Sequence, residues 1–151
     1  MDAPLDGIPL LHRGKVRDVY AVGTDRLLLV ASDRISAFDH VLPQPSPGKG
    51  RVLTQLSLFW FDLLRPVAEH HVLTADVEKY PAELRPHAEH LRGRSMLCRR
   101  AARVDVECVV RGYVAGSAWK DYAATGTVFG HAVPAGLQPG SRLPAPLFTP
   151  T

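Results

Sequence analysis

The chain has 151 residues, the length of one domain or of two small lobes. Hydrophobic residues make up 46% and charged residues 22%, enough for a core and too ordinary a balance for a disordered chain. The formal charge of +3 is Arg-rich but far too thin for the dense basic stripe of a nucleic-acid binder, so it hints at small anionic ligands and no more.

Residues 15–22 alternate charged and apolar side chains through Tyr20, the pattern of a half-buried strand. Gly23-Thr24-Asp25 signals a turn, and residues 26–31 read as a buried strand. The start of the chain is therefore expected to be an antiparallel meander with a glycine turn at Gly14. Residues 43–50 hold three prolines and two glycines and read as a loop. From Val52 onward, Leu53, Leu56, Trp60, Leu63 and Leu64 recur at helical spacing, with Phe59 beside them, until Pro66 stops the pattern.

A short strand is predicted over 71–75, and a helix over 81–91 that Pro86 weakens or splits. Residues 95–99 and 104–114 read as two strands, joined by Arg100-Ala101-Ala102-Arg103. Residues 116–125 read as a short helix that Gly126 ends. Residues 130–151 contain Pro134, Pro139, Pro144, Pro146 and Pro150, and are expected to be extended and irregular, with too few apolar anchors to pack alone. Strands, then a helix, then more strands make an α+β arrangement with a mostly antiparallel sheet.

Cys98 and Cys108 each lie in an apolar, strand-like run and are expected to be buried free thiols, with no spacing that suits a disulfide framework or zinc. His70-His71 and His87 with His90 lack a third ligand and read as surface residues. No segment is long and apolar enough to span a membrane, and the first residues lack the basic start and apolar run of a signal peptide. A cytoplasmic protein is the expectation.

Three segments could carry chemistry. In Arg13-Gly14-Lys15-Val16-Arg17-Asp18, a glycine between strands lets backbone N–H groups approach a phosphate, and Lys15 adds a point charge. The spacing is not that of a Walker loop, and a tight turn with solvated charges fits the same residues. Ser32-Asp33-Arg34-Ile35-Ser36-Ala37-Phe38-Asp39 gathers carboxylates, hydroxyls and an arginine at a strand end, where either a functional loop or a capping network would sit. Arg111 lies within an apolar strand and needs an anionic partner, and Gly116-Ser117 then opens a helix, where a hydroxyl and free N–H groups attract anions. The alternative is a structural salt bridge from Arg111 to Glu107 or Asp121.

Taken together and in order, these segments resemble the SAICAR synthetases, the ATP-dependent ligases of purine biosynthesis (phosphoribosylaminoimidazole-succinocarboxamide synthases). The resemblance is carried by Gly14-Lys15-Val16-Arg17-Asp18-Val19-Tyr20, by Ser32 to Asp39, and by Gly48-Lys49-Gly50 with Leu53-Thr54-Gln55-Leu56-Ser57 and Phe59-Trp60-Phe61. It continues in Val106-Glu107-Cys108-Val109-Val110-Arg111-Gly112-Tyr113 with Gly116-Ser117-Ala118-Trp119-Lys120, and in Pro146-Leu147-Phe148-Thr149-Pro150-Thr151.

What the resemblance implies is specific. The fold would be a two-lobed α+β ATP-binding architecture. Residues 1–103 would form a β-rich lobe like the small lobe of protein kinases, and 104–151 the start of a second, incomplete lobe. ATP would activate the carboxylate of carboxyaminoimidazole ribonucleotide, and the amine of L-aspartate would then displace phosphate. Gly14, Lys15, Val16 and Arg17 would lie over the ATP phosphates, with Arg99, Ala101 and Arg103 in the hinge beside the adenine. Arg111 and Ser117 would hold the ribonucleotide's phosphate, and Ser36, Asp39 and Lys49 would line the substrate side. Magnesium would be required, its ligands expected in a C-terminal part of the family that is not represented here. The chain is accordingly expected to be the N-terminal portion of such an enzyme, inactive by itself, with a homo-oligomer among the expectations for the full-length protein and no nucleic-acid or membrane partner. A non-catalytic nucleotide-binding module that uses the same glycine loop is the rival reading. An interaction domain with a structural glycine turn is another.

Overall fold

The computed structural model of the chain describes residues 4–37 and 40–151. Asp39, one of the residues the resemblance places on the substrate side, lies outside them. The chain divides into two compact units, Met1–Ala102 and Arg103–Thr151.

The first unit is built on a five-stranded antiparallel sheet. Its strands are β1 (Leu10–Arg13), β2 (Arg17–Val22), β3 (Arg26–Ala31), β6 (Val72–Thr74) and β7 (Ser95–Arg99), in the order β1-β2-β3-β7-β6. A small hairpin of β4 (Ser36–Ala37) and β5 (His40–Val41) follows β3. The turn at Gly23, in the left-handed region with φ 61°, lets β2 and β3 pair in unbroken register from Arg17↔Ala31 to Val22↔Arg26. In β2 the alternation becomes a buried face of Asp18, Tyr20 and Val22 and a half-buried face of Arg17, Val19 and Ala21.

Tyr20, Val22, Leu28, Val30 and Leu97 from the sheet pack with Val77, Tyr80, Leu84 and Leu91 from the segment that crosses it, and Leu5 and Ile8 close the cluster. That segment is not one helix. Ala82–His87 is 3-10 and α2 (Ala88–Leu91) is a single α-turn. Pro86 lacks an N–H and cannot extend an α-helical ladder, so the backbone tightens where the sequence predicted a split.

Helix α1 (Lys49–Leu64) starts three residues before the predicted Val52 and faces the opposite way from what its stripe suggests. Val52, Leu56, Phe59, Trp60, Leu63 and Leu64 are between 48% and 58% exposed, whereas the buried residues are Gly50 and Thr54. Small and polar residues dock the helix because they permit close approach. A Cβ on Gly50 would run into the Ala31 carbonyl at the end of β3.

The second unit pairs β8 (Val110–Tyr113) with β11 (Arg142–Phe148), and places α3 (Ser117–Thr125) and the β9 (Thr127–Val128)–β10 (His131–Ala132) hairpin beside them. Val114, Ala118, Val128 and Leu143 form its core, with Trp119, Tyr122, Val133, Leu137 and Leu147 packed around them.

Three expectations are corrected here. The strand predicted over 104–114 shrinks to Val110–Tyr113; before it, Glu107 and Thr151 still exchange backbone hydrogen bonds at 2.8 and 3.1 Å, but residues 104–109 belong to no strand. The tail over 130–151 is not irregular throughout. Leu143 is buried and Leu147 packs on the core, so β11 forms, with its register to β8 shifted between Arg142 and Leu147, the stretch that contains Pro144 and Pro146. Cys98 is buried as expected, but Cys108 is exposed, because the strand assumed to bury it does not reach it.

Candidate functional site

In the first unit, the glycine loop that joins β1 to β2, the loop after β3 and the start of α1 are linked by hydrogen bonds. Gly14 N–H donates to Arg17 O at 2.8 Å, and a Cβ at Gly14 would sit 2.8 Å from that same oxygen. The turn is tight enough to need glycine for that contact. Arg34, from the strand-end loop after β3, reaches back to it. Its Nη2 donates to Asp18 Oδ1 at 2.6 Å and to Gly14 O at 3.1 Å, and its Nε donates to Lys15 O at 3.3 Å. Ser32 adds its backbone N–H and its Oγ to Val16 O, at 2.9 and 3.0 Å. Arg13 Nε lies 3.6 Å from Asp18 Oδ2.

The start of α1 is bound into the same network. Lys49 Nζ donates to Arg34 O at 2.9 Å, and Gly50 N–H donates to Asp33 Oδ1 at 2.8 Å. Arg94 Nη2 donates to Asp33 Oδ2 at 3.2 Å. Burial on its own would raise the Asp33 carboxyl, but the N–H of Gly50, the hydrogen bond and charge of Arg94 and the N–H of Gly48 outweigh it and hold it below its ordinary value.

Arg17, at the start of β2, turns to the other side of the sheet. Its Nη2 donates to Ser57 Oγ of α1 at 3.0 Å, and its Nε is buried without a hydrogen-bond partner. Ser36 is half-buried in β4, opposite Val41. Arg99 ends β7 and is exposed, its N–H donating to His71 O at 2.7 Å. Ala101 is exposed and belongs to no element. Arg103 is exposed too and pairs with Asp105 at 2.6 Å.

In the second unit, Arg111 of β8 and Ser117 at the first position of α3 are brought together as the sequence reading placed them. Arg111 Nη2 donates to Ser117 Oγ at 3.2 Å and its Nε donates to Thr149 Oγ1 at 2.9 Å. Its guanidinium carbon lies 5.1 Å from the centroid of the Phe129 ring, a cation–π contact. Neither carboxylate considered for a salt bridge takes part. Asp121 Oδ2 accepts the Phe129 N–H at 2.6 Å, and among the described residues Glu107 forms no ion pair with Arg111. Arg111 is thus oriented by two hydroxyls and a ring, and among the described residues no carboxylate pairs with it.

Arg34, Asp18 and Asp33 all lie within segments singled out in the sequence, but none of the three is assigned a site role there. Thr149 and Phe129 were also missed. Thr149 stands 38 residues from Arg111, and nothing local signals the pairing.

The two arrangements define the class. This is an α+β protein with a glycine loop braced by an arginine and, in its second unit, an arginine held between two hydroxyls. Sequence and structure comparisons give the family. The SAICAR synthetase family profile matches residues 10–151. A phosphoribosylaminoimidazole-succinocarboxamide synthase of Desulfosudis oleivorans is 55% identical over 145 residues, which are 96% of this chain and 49% of that protein. One from Pelobacter propionicus is 51% identical over 151 residues, 100% of this chain and 51% of that protein. A solved SAICAR synthase from Saccharomyces cerevisiae, complexed with SAICAR, superposes with a TM-score of 0.91 at 42% identity, covering 100% of this chain and 53% of that one. The chain belongs to the SAICAR synthetase family, and it spans about half the length of the curated relatives it matches.

Proposed function

We propose that this chain serves ATP-dependent carbon–nitrogen ligation, the reaction of the synthases it is similar to, and that it supplies two phosphate contacts. The Gly14-Lys15-Val16-Arg17 loop would cover the ATP phosphates, and Arg111 with Ser117 would hold the phosphate of carboxyaminoimidazole ribonucleotide. Ser36, Asp39 and Lys49 would face the substrate, and Arg99, Ala101 and Arg103 would run beside the adenine. The observation that carries the reading is the Arg111 guanidinium, fixed by Ser117 and Thr149 at 3.2 and 2.9 Å and paired with no carboxylate among the described residues.

The chemistry asks mainly for positioning and charge neutralisation. A carboxylate is a poor electrophile until its oxygen can leave. Transfer of the γ-phosphoryl group to it gives an acyl phosphate and ADP. The amine of L-aspartate then forms the C–N bond, phosphate departs with the oxygen, and the amine loses a proton. Magnesium would supply charge neutralisation on the phosphates when bound. Among the described residues, no group of three or more His, Cys, Asp or Glu side chains could hold a metal ion. No helix among the described residues is long and apolar enough to cross a membrane.

The relatives' activity belongs to proteins about twice as long, so the test joins this chain to the half of the D. oleivorans synthase that it does not span. ATP- and aspartate-dependent formation of SAICAR is expected. Arg111→Met should raise the KM for the ribonucleotide by about a hundredfold, the cost of losing a charge-assisted phosphate contact, with the KM for ATP changed less than about twofold. A chimera that folds and forms no product would sink the proposal. Loss of ATP binding alone in Arg111→Met would favour the rival nucleotide-binding module.

A further inference from the structure

Four consecutive carbonyls of the glycine loop are occupied from within the protein. Gly14 O and Lys15 O accept from Arg34 at 3.1 and 3.3 Å, Val16 O accepts from Ser32, and Arg17 O accepts from Gly14 N–H. A trans peptide is planar and its N–H points away from its C=O. With the Gly14 and Lys15 carbonyls drawn to Arg34, the N–H groups of Lys15 and Val16 are therefore turned toward the opposite face of the loop. Successive N–H groups on one face make a concavity suited to anions.

The loop also ends on a carboxylate. Asp18 has a side chain only 4% exposed, and it would repel a polyphosphate if its charge stood alone. Arg34 Nη2 meets it at 2.6 Å, with Arg13 farther off at 3.6 Å. One guanidinium thus does two things at once. It selects which side of the loop presents N–H groups, and it cancels the charge that would oppose a phosphate there.

We infer that Arg34 is the positioning residue of the glycine loop, setting its phosphate-receiving face before nucleotide arrives. The inference rests on the reading of that loop as the ATP site. Arg34 touches no substrate in this arrangement and acts through the backbone of Gly14 and Lys15. The role needs the fork of a guanidinium, since one ammonium cannot serve two carbonyls and a carboxylate in that geometry. Lys49 extends the arrangement by holding the Arg34 carbonyl at 2.9 Å, which ties the brace to the start of α1.

The test measures ADP affinity by calorimetry in the same chimera, with Arg34→Met, Arg34→Lys and a control, Arg92→Met, which removes only an exposed pair with Glu78. Both Arg34 variants should bind ADP at least about tenfold more weakly, as expected when charge-assisted hydrogen bonds that shape a site are lost. Ribonucleotide affinity should stay within about twofold. The control should match the parent. Arg34→Lys keeps the charge and carries the test if Arg34→Met does not fold. A parent that binds no ADP defeats the ATP reading, and the inference with it. A parent that binds ADP while both variants bind it equally well, or a full rescue by lysine, overturns the inference alone. Equal weakening toward ADP and ribonucleotide would mark general damage and overturn it too.

Discussion

Arg34 Nη2 and Asp18 Oδ1 lie 2.6 Å apart, with Asp18 almost wholly buried and Arg34 one-fifth exposed. The pair joins the loop after β3 to the strand that follows the glycine turn, 16 positions away in the chain. Removing one partner strands the other charge in a poorly solvated place. Asp18→Ala is therefore expected to destabilise the protein by about 2–4 kcal/mol, measured by urea unfolding, whereas Arg92→Ala at the exposed pair with Glu78 should cost less than about 1 kcal/mol.

Asp33 gives the fold a defined acid sensitivity. Its carboxyl is held below the ordinary value of 3.8, so its hydrogen bonds to Gly50 and Arg94 contribute stability that is complete above that value. The contribution is lost as pH falls from about 4 through the lower, folded value. Thermal unfolding followed from pH 6 to pH 2.5 should show a steeper fall for the parent than for Asp33→Asn. Parallel curves would contradict the assignment.

The orientation of α1 separates apolar residues that are core from apolar residues that are not. Leu84 is fully buried, while Leu56 is 51% exposed. Leu84→Ala should cost about 2–5 kcal/mol through lost burial and the cavity it leaves, whereas Leu56→Ala should cost less than about 1 kcal/mol. Denaturant midpoints of the two variants decide it.

The two thiols should differ sharply in reactivity. Burial pushes the Cys98 thiol up to about 11, so almost none of it is thiolate near neutral pH, and Cys108 is exposed. Iodoacetamide at pH 8 is expected to label Cys108 in the native protein and to reach Cys98 only after unfolding. Peptide mapping by mass spectrometry reads out both sites.

Much of this was legible in the residues because the signals were local. Period-2 alternation gave β2, a short apolar run gave β3 and β7, and Pro86 marked the break in the crossing segment. Arg111 and Ser117 could be paired on paper because an arginine in an apolar strand demands an anion, and because a Gly-Ser step six residues later opens a helix. Their proximity at 3.2 Å follows from that short span.

What the sequence could not decide depended on distant parts of the chain. An apolar stripe on α1 says that a helix forms, but not which side meets the sheet. Here the close fit of Gly50 against Ala31 and the bond from Arg17 to Ser57 set the docking side. The β8–β11 pairing joins residues from 29 (Tyr113 and Arg142) to 38 (Val110 and Phe148) positions apart, and the proline-rich composition masks it, although Leu143 is buried in the core. The brace of Arg34 on Gly14 joins residues 20 apart, and no periodicity encodes such a bond. By itself, then, the sequence determined β2, β3, β7, α1 and α3, the glycine turn and the residue chemistry on offer. Only the tertiary structure decided which carbonyls Arg34 occupies, which hydroxyls orient Arg111 and which face of α1 stays exposed, because those outcomes depend on packing between segments remote in the chain.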